Sequence, residues 1–308
     1  MKYFFRSAGL GLLGFSLFAC AGTTKNVSFS DAIDAVEEDD VLDLEAAESL
    51  IAEIESTHPW PSSSFQEPQS VDDVVAILKL DDVRRFEDGL RFVSSQRSLS
   101  ARALEAQIEL AWGEAYMVVL AVLTRLEGLL EKELQTLVDT HGEGETISWL
   151  QERLMQSERY AEAFQLVSIE HMTKGALLAE NVMRDNPESY LGYRVAADYY
   201  RMIRDWMMFD KIEKKIETLK PTSNGLVFLR GAVAYRRNGD RSAASAYFRQ
   251  ALSNDPKFVR AQAHLLVLQE TIETLAVEFR KLRAISPTHP VVLWAGETLD
   301  WLRERKGV

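Results

Sequence analysis

Four prolines in the C-terminal half stand at a nearly constant interval: Pro187, Pro221, Pro256 and Pro290 are 34, 35 and 34 residues apart. Proline lacks a backbone donor and clashes with the preceding turn, so it stops one helix and opens the next. Between stops there is room for two short helices and a turn, and the intervening residues fit that plan. In residues 224–256, Phe228, Ala232 and Tyr235 mark one face of a first helix and Asn238-Gly239-Asp240 is the turn. Ala244, Phe248 and Ala251 mark one face of a second helix, stopped at Asp255-Pro256. Residues 188–221 repeat the register: Tyr193, Ala197 and Tyr200 in the first helix, Arg204-Asp205 at the turn, Phe209 and Ile216 in the second. Small residues at Ala197, Ala232 and Ala244 let paired helices approach, while Tyr200, Tyr235 and Phe248 fill the gaps between pairs. With only 16 Gly and 8 Pro in 308 residues, and little β-branched alternation, the whole chain leans towards helix.

This pattern resembles the 34-residue tetratricopeptide repeat. The resemblance is carried by residues 188–256, is looser over 149–187 and 257–306, and does not extend to 31–148. It implies an all-α chain whose C-terminal half is a helix-turn-helix α-solenoid, preceded by irregular helices. Residues 149–308 are then an array with a closing helix. Ala163, Leu166, Gly175, Ala179 and Val182 suggest a fainter first unit, 257–290 has lost the glycine of its turn, and 291–306 closes the array with Leu293, Trp294 and Trp301 inward. Stacked repeats need about three units to be stable, so the preceding helices are expected to share the same core.

The N-terminus reads as an address. Lys2 and Arg6 precede an apolar run from Ala8 to Phe18 that ends in Leu17-Phe18-Ala19-Cys20, the layout of a secretory signal. The tetrad resembles the lipobox of bacterial lipoproteins, and Cys20 is the chain's single cysteine. That resemblance implies a signal peptide over 1–19, lipid attachment at Cys20 and, with Ala21 following, residence at the outer membrane facing the periplasm. Gly9, Gly11 and Gly14 spell G-x-G-x-x-G, but no strand precedes them and no βαβ unit surrounds them.

A small, polar tether over 20–30 leads to an acidic amphipathic segment over 31–56, with eleven Asp or Glu and no Lys or Arg. Its apolar stripe predicts a helix, but like charges at i,i+4 make it marginal alone. It is either a solvated linker or a helix that docks on the basic C-terminal half or on a basic partner. Residues 57–70, rich in Pro and Ser, form a linker. A helical region over 71–148 follows, with Ser70 and Ser100 as candidate N-caps. From Ala101 to Val138 runs its longest periodic segment, apolar nearly all round between Ala115 and Leu123, as in a core helix.

Chemistry is absent from the pattern. The histidines His58, His141, His171, His264 and His289 make no H-E-x-x-H or i,i+4 pair, and the mature chain holds no G-x-S-x-G, Walker loop or S-x-x-K motif. The expectation is a non-enzyme with no cofactor and no metal, and the net charge of −12 argues against nucleic acid. Residues 188–308 carry twenty Lys plus Arg against fourteen Asp plus Glu. In tetratricopeptide proteins the first helix of each pair lines a concave groove. Carried onto this chain, that groove is lined by Arg194, Asp198, Arg201, Leu226, Val233, Arg236, Arg237 and Arg260, a basic surface with apolar patches suited to an acidic or C-terminal peptide. The expected role is a lipid-anchored periplasmic adaptor for protein partners in envelope assembly. The alternative is a helical ligand-binding lipoprotein of a periplasmic transport system, with 101–138 lining a pocket for a small hydrophobic molecule.

Overall fold

The computed structural model describes residues 44–57, 66–141, 144–220 and 223–307, and every regular element among them is helical. The signal, the tether, residues 31–43 and most of the linker lie outside the described residues. The rest of the acidic segment forms α1 (Leu44–Thr57), which buries Ala47, Leu50 and Ile51 against the long helix α5 defined below, not against the basic C-terminal half. α2 (Val71–Leu80) opens on a capping box in which Ser70 Oγ accepts the Asp73 N–H at 3.2 Å and Asp73 Oδ2 accepts the Ser70 N–H at 2.9 Å. A single 3₁₀ turn, Val83–Arg85, leads into α3 (Phe86–Ser94).

The body is built on two long antiparallel helices, α4 (Leu99–His141) and α5 (Glu145–Asp185). α4 starts one residue before Ser100, and Ser98 takes the capping role, its Oγ accepting the Ala101 N–H at 3.1 Å. By length and composition α4 could cross a bilayer, but 83% of its apolar window is buried inside the protein, which makes it a core helix. The fainter repeat unit expected at 149–187 is one continuous helix, not a pair. Gly175 sits where α5 crosses α4, and a Cβ there would lie 2.9 Å from the Leu110 backbone nitrogen. Gly113 on α4 has the reciprocal role, its hypothetical Cβ 2.8 Å from the Ser168 carbonyl oxygen.

Three helical hairpins follow: α6 (Tyr190–Met202) with α7 (Trp206–Leu219), α8 (Asn224–Asn238) with α9 (Arg241–Asn254), and α10 (Val259–Val267) with α11 (Ile272–Ile285). Gly239 adopts the left-handed region (φ 67°) and Asp240 Oδ1 caps α9 through the Ala243 N–H at 2.9 Å. Arg204 and Asp205 reproduce this turn, with φ 60° at Arg204 and the Met208 N–H donating to Asp205 at 3.0 Å. The hairpins advance along α4. α6 packs near Ala103, Ala106 and Leu110, α10 near Glu114, and α12 (Pro290–Lys306) returns to its far end. There Trp294 meets Phe164 edge-on at 4.7 Å, Trp301 lies 4.8 Å from Trp149, and Lys306 Nζ is 2.9 Å from Glu133.

Candidate functional site

Between Ala111 and Leu123 on α4 the only charged residue is Glu114, and its side chain is 3% exposed. A lone buried carboxylate needs compensation, which three helices supply. Arg201 of α6 donates from Nη2 to Oε1 at 2.7 Å, and Arg260 of α10 donates to Oε2. His264 of α10 bonds through Nε2 to Oε1 at 3.0 Å. Asp198 of α6 adds a second carboxylate, accepting from Arg194 at 2.5 Å and Arg201 at 3.3 Å. Phe228 of α8 supplies an aromatic floor, its ring centroid 5.8 Å from the Arg201 guanidinium and 5.2 Å from that of Arg260.

Burial sets the protonation states. It holds His264 well below the usual histidine range, reinforced by Arg201, Arg236 and Arg260, so a neutral imidazole donates its Nε2–H to Glu114. His289, the N-cap of α12, is pushed down to about 3, first by burial. Asp81, in the tight turn after α2, is raised to about 7 by burial and by Asp198, against the pull of Arg260. Burial together with Arg201 and Arg204 lowers Arg236 to about 9. These groups face one another across packed helices. The cavity beside them, lined by Met117, Val118, Tyr235, Arg236, His264 and Val267, holds about 10 Å³, room for one water. The arrangement fastens helices together.

The residues expected to line an open groove are therefore turned inward. Arg201, Leu226 and Asp198 are buried at 0%, 1% and 3% exposure, and Arg194 and Arg260 keep only 14% of their side chains exposed. Val233 and Arg236 are partly buried, and Arg237, at the rim, donates to Asp210 at 2.7 Å. Arginines at helical spacing reveal a charged face; they do not reveal that another helix covers it. Cys20 lies outside the described residues. Sequence reasoning missed Glu114, whose signal was a single carboxylate abutting an all-apolar run.

On another side of the hairpins a cleft of about 400 Å³ opens between α9, α10 and α11. Leu252, Leu265 and Ile285 give it apolar walls. Its floor is a buried pair, Gln262 Nε2 donating to Glu278 Oε2 at 2.7 Å, and the exposed Arg249 and Lys281 stand at its mouth. Among the described residues no group of three or more His, Cys, Asp or Glu is placed to hold a metal ion.

No family model, curated protein or solved structure matches this chain.

Proposed function

We propose that this chain is a lipid-anchored scaffold of the bacterial envelope, held at the periplasmic face of the outer membrane through Cys20. Its C-terminal hairpins, read as a short tetratricopeptide array, bind a polypeptide partner. The signal-like N-terminus ending in the only cysteine supports the anchor. The observation that carries the binding role is the cleft between α9 and α11. Its volume of about 400 Å³, aliphatic walls and few convergent polar groups are those of a site that takes a side-chain anchor from a partner. The face of α6, α8 and α10 supports that role less, because Asp198, Arg201 and Arg260 there are engaged with one another and with Glu114 of α4. Arg249 favours a segment that presents a carboxylate beside an apolar side chain, Lys281 being paired with Glu278 at 3.0 Å. The ligand-binding alternative finds less support, since the cavity touching α4 at Met117 and Val118 has room for one water only.

Two measurements test the reading. A photo-crosslinking residue at the exposed Ala284, which lines the cleft, is expected to trap one discrete polypeptide in cells. The same residue at Ser242, on the outer side of α9, should trap none. Leu252→Glu should abolish the adduct, and equal yields from Ala284 and Ser242 overturn the cleft as the binding site. Cys20→Ala should stop incorporation of labelled palmitate and release the chain from the membrane fraction; retention of label overturns the anchor.

A further inference from the structure

α7 pairs its acids with arginines and leaves its lysines outside any ion pair among the described residues. Its three carboxylates all turn towards α8: Asp210 accepts from Arg237 at 2.7 Å, and Arg230 bridges Glu213, at 3.0 Å, and Glu217. Lys211, Lys214 and Lys215 are exposed on adjoining turns, and neither they nor Lys220 at the C-cap make an ion pair among the described residues. Lys211 Nζ lies 3.9 Å from Met208 Sδ, and Lys220 lies over the Tyr190 ring at 5.2 Å. Two apolar side chains flank this stripe in the open, Met207 at 65% exposure and Leu219 at 46%. On a chain of net charge −12, three exposed lysines without an ion pair on one helix are the exception.

We propose that the outer face of α7 is a docking surface for an anionic phospholipid bilayer. The inference rests on the membrane-anchored reading above and adds which face of the protein lies on the membrane. Charge complementarity selects an anion, and the side-chain chemistry selects the kind. Most of the arginines in this part of the chain are held in fixed pairs, while the stripe uses lysine, a flexible point charge suited to a diffuse negative surface. No residue of α7 lines either cavity described above. Exposed Met207 and Leu219 at the two ends can enter the headgroup region while the lysines meet lipid phosphates.

The test reads which face touches the bilayer, so it does not depend on lipidation. The full chain carrying Cys20→Ser receives an environment-sensitive dye through Met207→Cys, or through Ser253→Cys on the exposed side of α9. It is mixed with phosphatidylethanolamine vesicles with or without about one-third phosphatidylglycerol. A blue shift is expected at position 207 only, on the anionic vesicles only, and lost at about 1 M salt, where the Debye length falls to about 3 Å. Replacing Lys211, Lys214 and Lys215 with Gln should raise the lipid concentration required about 100-fold, roughly fivefold per lysine. These lysines are exposed, so an unchanged melting temperature confirms that the variant is folded. Vesicle-bound protein with no shift at 207, with equal shifts at both positions, or with no dependence on the lysines overturns the proposal. So does a shift given by polyglutamate but not by vesicles, which would assign the stripe to an acidic polypeptide. Failure here leaves the palmitate result at Cys20 untouched, so the anchor and the docking face stand or fall separately.

Discussion

Asp81 combines two costs in one residue. It caps α2 in the left-handed region at φ 46°, and its side chain is buried with Oδ1 lacking any hydrogen-bond partner in the protein. Its nearest charged neighbours are Arg260 and Asp198, and burial lifts its pKa to about 7. In the unfolded chain an aspartate titrates near 3.9. Between these values the folded protein keeps a proton that the unfolded chain has released. The contribution of Asp81 to stability is therefore fully present below about pH 4 and is lost as pH rises to about 7. Asp81→Asn keeps the shape, tolerates the left-handed backbone and cannot ionise. The melting temperature of Asp81→Asn relative to the parent should rise steadily between about pH 4 and 7 and level off above. A difference that stays flat across this range would place the titration elsewhere. His264 and His289, held neutral by burial, act in the opposite sense, losing stability as pH falls below about 6.5. They are common to both proteins, so they largely cancel from the comparison.

At the scale of helices, two glycines separate conformation from space. Gly239 ends α8 at φ 67° with nothing within 4 Å of a hypothetical Cβ, so Gly239→Ala should cost only the left-handed backbone penalty, about 1–2 kcal/mol. Gly175 has ordinary helical φ, but a Cβ would meet the Leu110 nitrogen at 2.9 Å and its Cγ at 2.7 Å. Backbone cannot step aside as a side-chain tip can, so Gly175→Ala should force α4 and α5 apart at a cost of about 1–3 kcal/mol. Denaturant midpoints for Gly239→Ala, Gly239→Asn and Gly175→Ala check both. Asn, which tolerates the left-handed region, should recover part of the loss at 239. The same contrast explains what was legible in the sequence. The limits of α8 and α9 could be read because Gly239, Asp240 and Pro256 act through the local backbone, and Arg204-Asp205 could be aligned with them. Gly175 could not be read, because its reason is Leu110, 65 positions earlier on another helix. In the same way Arg194, Asp198, Arg201 and Arg260 were recognisable as one face, but periodicity says which side of a helix a residue occupies and not what lies opposite. The cleft, formed where Leu252, Leu265 and Ile285 of three helices converge, had no sequence signal at all.

For the molecule as a whole, Glu114 makes the order of the C-terminal helices depend on the long pair. α6 and α10 reach its two oxygens directly, and Phe228 of α8 is sandwiched beneath the guanidiniums that do so. Breaking a buried pair from one side leaves the other side charged and unsolvated, which costs about 3–5 kcal/mol, whereas exposed pairs are worth about 0–1 kcal/mol. Glu114→Gln keeps the volume and removes the charge, leaving Asp198 as the one carboxylate shared by Arg201, at 0% exposure, and Arg260. Glu297→Gln, which deprives Arg153 of a partner that is 62% exposed, is the matched control. Hydrogen exchange followed along the chain should show the difference in pattern as well as size. In Glu114→Gln, protection should fall together on α6, α8 and α10, since the carboxylate bonds α6 and α10 directly and Phe228 of α8 packs on the guanidiniums it holds, while the α5–α12 contact around Phe164 and Trp294 holds its own protection. Glu297→Gln should change neither. If Glu114→Gln loosens α4 alone, the hairpins are held by their apolar contacts and the buried charges are incidental. If the three first helices loosen as a unit, the face expected to receive a partner is kept closed by this one residue.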